Sequence, residues 1–174
     1  MELKNFIKSL SIMHLFLLGG LIIFTVWVIL QINTFNTSTN GQGPFLYAVP
    51  VFAMLGYFGS QWIFKKMTSK IKMDIKFEEK LKKYQSALHL KYALIEMPAF
   101  IGLFAYYNTG NALPLVISIC LLAYLAVQRP NKDNIINSIP LTPDEKNQIN
   151  NSLYANFIRF DFFAFPRLGR FKTF

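Results

Sequence analysis

Charge is scarce in this sequence where a soluble protein would need it most. Of 174 residues, 16% are charged and 53% hydrophobic, whereas globular chains carry about 25% charged residues. No Asp, Glu, Lys or Arg occurs from residue 9 to residue 64, a run of 56. From residue 92 to residue 128 the only charge is Glu96. A fold in water covers itself with polar groups, and these blocks have too few, so a soluble enzyme is excluded. The single cysteine, Cys120, lies in an apolar run and excludes both a disulfide framework and a cysteine-based metal site. His14 and His89, the two histidines, are far apart in the chain, so neither a metal nor a cofactor is expected. The P-loop, GxSxG and HExxH patterns and any paired acidic cluster are missing, which leaves no support for hydrolysis, phosphoryl transfer or redox chemistry.

What the sequence does hold is long apolar segments. A spanning helix needs about 20 mostly apolar residues, because the hydrocarbon layer is about 30 Å thick and a helix rises about 1.5 Å per residue. Residues 11–32, 45–64, 88–107 and 112–128 qualify, the last being short. They predict an all-α integral membrane protein with four transmembrane helices in a membrane domain over residues 1–128. The first segment follows Lys4 and Lys8 as a signal peptide would. Its apolar stretch is too long for one, and no small-x-small cleavage site follows, so it reads as a retained helix. Gly19, Gly20, Gly56, Gly59 and Ser60 are small residues that permit close helix approach.

Orientation follows from Lys and Arg in the flanks. Lys4 and Lys8 precede the first segment, and residues 33–44 carry no charge. Residues 65–91 carry nine Lys, residues 108–111 none, and Arg129 and Lys132 follow the fourth segment. The alternation predicts N-in/C-in topology, with both termini and the middle connection on the cytoplasmic side. A net charge of +9 is then what topology and anionic headgroups require, and no nucleic-acid partner is expected.

Within the connection over residues 65–87, Met73, Phe77, Leu81, Tyr84 and Leu88 recur at helical spacing. Lys72, Lys76, Lys80 and Lys83 fall along an adjoining face, and Glu78–Lys82 and Glu79–Lys83 are spaced for i,i+4 pairs. This predicts an amphipathic cytoplasmic helix between spans 2 and 3. It either rests on headgroups, extends the third span, or presents a docking face to a partner. Residues 129–174 form a cytoplasmic extension, with one short helix beginning at Thr142-Pro143-Asp144-Glu145. Its aromatic-basic tail holds the candidate partner or lipid docking residues Phe160, Phe162, Phe163, Phe165, Arg167 and Arg170.

Glu96 is the one acid inside a predicted span. An ionised carboxylate at the bilayer centre costs roughly 2.5–3.5 kcal/mol on insertion scales, so such groups are functional suspects. His89, Tyr92 and Glu96 stand at i, i+3 and i+7 and share one helical face, with Pro98 following. They form either an ion-coupling relay or an interhelical polar contact. His14, near the start of the first span, reads as an interfacial residue.

Residues 80–140 carry a pattern of Tyr84 and Ala87, then Ala93, Leu94, Glu96 and Pro98. Thr109-Gly110-Asn111 follows, then Arg129-Pro130 with Lys132, Ile135 and Ile136. This stretch resembles a family of small multi-pass inner-membrane proteins of Bacteroidota that carry no assigned activity. Met97 stands where that pattern has glycine, and the tail beyond Asn151 is not part of it. The resemblance implies a four-helix inner-membrane protein. Together these readings predict a non-enzymatic accessory or structural subunit of a larger inner-membrane complex. Its partners would be lipids and other membrane subunits, or further copies of itself. The alternative is a small ion-coupled transporter or channel-like protein using Glu96.

Overall fold

The apolar runs fold as long helices. A computed structural model describes residues 3–32, 35–37 and 43–150. Helix α1 covers Leu3–Gln31, α2 Phe45–Ser69, α3 Phe77–Thr109, α4 Ala112–Val127 and α5 Lys132–Ser138. Residues 143–150 are helical as well. The tail residues Phe160, Phe162, Phe163, Phe165, Arg167 and Arg170 lie outside the described residues.

Aromatic contacts set the directions. Phe24 meets Phe100 and Trp27 meets Tyr107, so numbers climb together and α1 runs parallel to α3. Phe64 meets Tyr84 while Gly56 faces Pro98, so α2 runs antiparallel to α3. The long helices alternate up and down, and α3 is central, packing on α2, α4 and α1. One end of the bundle holds Lys8, the α2–α3 turn and Arg129; the other holds the uncharged loops. At the uncharged end Gly110 adopts φ 65° and closes α3, donating its N–H to the Tyr106 carbonyl at 2.8 Å. Asn111 then caps α4, its Oδ1 accepting from the Leu113 N–H at 2.8 Å. Asn36 pairs with this corner, donating to the Gly110 carbonyl and accepting from the Ala112 N–H, both at 2.9 Å.

Two helices, α1 from residue 5 and α3, are long and apolar enough to cross a membrane. Helices α4 and α5 make a third candidate only if the pair, bent by 87°, is one span. The reasons lie in composition. Tyr47, Pro50, Gly56, Gly59, Ser60 and Gln61 dilute α2, and α4 has only 16 residues, about 24 Å of helix.

Of the forms expected for the amphipathic segment between spans 2 and 3, the structure has the extension of the third helix and no separate helix among the described residues. Residues 65–69 finish α2, Lys70 to Lys76 make a turn, and the rest of the segment is the start of α3. The cause is one unbroken stripe: Leu81, Tyr84, Leu88, Tyr92, Ile95, Ala99, Leu103 and Tyr106 are all buried at spacings of three and four. The charged start of α3 and its apolar remainder therefore bury the same face. Met73, in the turn, is 50% exposed and falls off the stripe. The extension carries two short helices where one was expected. Ile135, Ile139, Leu141 and Ile149 from that region belong to the same core as α3.

Close approach depends on two glycines. A Cβ on Gly56 would lie 2.5 Å from the Leu94 carbonyl oxygen and 2.6 Å from Pro98 Cγ. Pro98 has no N–H to offer that carbonyl four residues back. A Cβ on Gly102 would collide with Ser118 Oγ and lie 3.0 Å from the Pro114 carbonyl. Gly19, Gly20 and Gly59 meet nothing within 4 Å, so three of the small residues expected to bring helices together do not. Thermal unfolding of the detergent-solubilised chain should show Gly56→Ala and Gly102→Ala each destabilising by about 1–3 kcal/mol, the usual cost of overpacking. Gly19→Ala and Gly59→Ala should be neutral or stabilising, since alanine favours helix over glycine by up to about 1 kcal/mol.

Candidate functional site

Polar side chains gather where α1, α3 and α4 meet at the basic end. Tyr92 is fully buried, and its hydroxyl donates to the Gln128 carbonyl at 2.7 Å. Lys91, 8% exposed, donates from Nζ to Gln128 Oε1 at 2.5 Å, and its ammonium stands 4.9 Å from the Phe64 ring centroid. Gln128 is the C-cap of α4. The last carbonyls of a helix lack intrahelical partners and carry partial negative charge, so they suit a donor and a cation. The α4 terminus thus receives one of each from α3.

His14 completes the junction from α1. It is buried, with its ring centroid 5.0 Å from that of Tyr92. Its Nδ1 is buried without a hydrogen-bond partner among the described residues, as is His89 Nε2. Of the predicted trio, only Tyr92 joins this junction through observed contacts. Glu96 is half-buried on α3 and makes no hydrogen bond or ion pair among the described residues. It lies one turn before Phe100, which meets Phe24 of α1. Among the described residues, no group of three or more His, Cys, Asp or Glu stands close enough to hold a metal ion.

A second junction lies further out on α3. Lys80 is completely buried, and its ammonium meets Glu145 Oε2 at 2.9 Å and Oε1 at 3.1 Å. Its expected place on a solvated basic face is corrected by this contact. Glu145 also accepts from the Thr142 N–H at 2.8 Å, while Thr142 Oγ1 accepts from the Glu145 N–H at 3.3 Å. This reciprocal pair is the capping box that opens the helix over 143–150, so one carboxylate both starts that helix and neutralises Lys80. The Glu79–Lys83 pair forms at 2.8 Å on the exposed face and, being solvated, adds little to stability.

Sequence reasoning placed Lys80 on a basic face and Glu145 at a helix start without pairing them, and gave Gln128 and the Lys91 side chain no contact. A signal for the lysines was present: positions 80, 84, 87, 91, 95 and 98 form one helical line, and all six residues are buried.

Partial burial pushes the Glu145 carboxyl up, but the Lys80 ammonium and the Thr142 N–H outweigh it and hold the group below the usual carboxylate range. The stabilisation is therefore complete above the free carboxyl's range, about 4.3, and is lost as pH falls through the lower docked value. Hydrogen exchange across residues 139–150 should stay slow at neutral pH and accelerate only under strong acid. Glu145→Ala should speed it at neutral pH, removing up to about 3 kcal/mol by leaving the buried lysine unpaired, and should converge with wild type at the same acid pH where Glu145 is protonated. Compared with family models, curated proteins and solved structures, the chain matches none of them.

Proposed function

We propose that this chain is a non-enzymatic integral membrane protein with four spans, N-in/C-in in a bacterial inner membrane, serving as an accessory subunit of a larger assembly. One observation carries the reading: the bundle's outer faces are apolar, while its polar junctions are turned inward at one end. Phe16, Ile23 and Leu30 of α1 are 72–80% exposed, and Met54, Leu55, Phe58 and Trp62 of α2 are 61–63% exposed. Apolar surface on that scale marks contact with lipid or with other subunits. The outward residues of α2 and α4 support their membrane placement too, since α4 at about 24 Å fits by thinning the bilayer or by anchoring at its ends. The resemblance to Bacteroidota membrane proteins is consistent with this assignment and adds no activity.

The ion-coupled reading retains one supporting observation, the half-buried Glu96 without a partner among the described residues. A relay would need groups continuing beyond it, and next along that side of α3 stand the apolar rings of Phe100 and Phe24, 5.3 Å apart between centroids.

Topology is tested by impermeant thiol labelling in a Cys120→Ser background. Thr109→Cys should label from outside intact cells and Lys76→Cys only after permeabilisation; the reverse pattern inverts the chain. The subunit role is tested by mild-detergent purification of the tagged chain with mass spectrometry, where stoichiometric membrane partners are the expected result. A homo-oligomer alone, with ion flux abolished by Glu96→Gln, would instead establish the coupled transporter.

A further inference from the structure

Between α1 and the end of α4 lies a cleft of about 410 Å³ lined by Lys8, Ser11, Ile12, His14, Leu15, Leu18, Ala126 and Arg129. A second hollow of about 500 Å³ adjoins it, sharing Ser11 and Arg129 and adding Lys132, Asn131 and Asn134. No carboxylate lines either one. Lys8 and Arg129 form no ion pair among the described residues. The lining is ordered along the helix axis: Lys8 and Ser11 come first, then Ile12, Leu15 and Leu18 over the next two turns. Leu15 lies about 10 Å below Lys8 at about 1.5 Å per residue. Ile12 and Leu15 are 56% and 68% exposed, so the apolar half opens outward from the bundle.

We propose that this cleft binds one anionic phospholipid, its phosphate held by Lys8, Arg129 and the Ser11 hydroxyl, and an acyl chain laid along Ile12, Leu15 and Leu18. The site rests on the membrane reading above. Charge complementarity calls for an anion, and the apolar lane leading away from the cations calls for one with a tail. A free phosphate would use the upper half and leave the lower half empty.

The test is native mass spectrometry of the full-length chain released from detergent after titration with phosphatidylglycerol, with phosphatidylcholine of the same chains, or with inorganic phosphate. Wild type should retain phosphatidylglycerol at one per chain in clear preference to phosphatidylcholine, and millimolar phosphate should not displace it. Lys8→Gln and Arg129→Gln should each weaken retention about fivefold, the effect of one basic residue near an anionic surface. Lys72→Gln, remote from the cleft, should change nothing. Equal retention of the two lipids, unaltered retention in both cleft variants, or displacement by phosphate would each overturn the proposal. If Arg129→Gln does not fold, the wild-type lipid comparison and Lys8→Gln decide alone. Fractionation of the tagged chain separates the two levels: a chain absent from membranes defeats the membrane reading itself, whereas one in membranes without lipid preference defeats only this site.

Discussion

An ammonium group taken out of water must meet an acceptor, and helix α3 takes two of them out of water. Lys80 meets the Glu145 carboxylate and Lys91 the side chain of Gln128. Each contact reaches far along the chain, 65 residues in the first case and 37 in the second. Buried lysines therefore fix where the C-terminal segments lie against the bundle. Burying a charge costs more than a well-made pair returns in many proteins, so the gain here is in register. The placement of α4 and of residues 143–150 satisfies both lysines at once.

The same economy of polar groups explains the helix ends. Tyr92 and Lys91 serve the C-terminus of α4, Glu145 and Thr142 serve the next helix, and Gly110 with Asn111 turns α3 into α4. Between these ends the bundle is held by shape. Gly56 and Gly102 let α2 and α4 approach the backbone of α3, and Ser118 turns its hydroxyl to the Ala99 carbonyl at 2.9 Å. Small residues and backbone contacts are how helices associate when the surroundings are as apolar as the side chains.

α1 stands apart from this economy. It meets α3 through aromatic contacts and His14, and its long apolar side chains are largely exposed. The cleft beside it is where basic groups and an apolar lane meet.

The sequence by itself determined the helical class, the apolar runs, the Asn111 cap and the capping box at Thr142, because each is written in local spacing or in the chemistry of two or three neighbouring residues. It also held the stripe that makes α3 one helix, although the charged first third of that stripe disguised it as a separate amphipathic element. Tertiary structure alone decided which lysines are buried, because Lys80 and Lys83 look alike along the chain and differ only in whether Glu145 lies opposite. It decided likewise that Gly56 works and Gly59 does not, since a glycine matters only where another backbone passes. Tyr92 was separated from Glu96 for the same reason. A spacing of four places two side chains on one face of a helix, but the neighbouring helices determine which of them finds a partner.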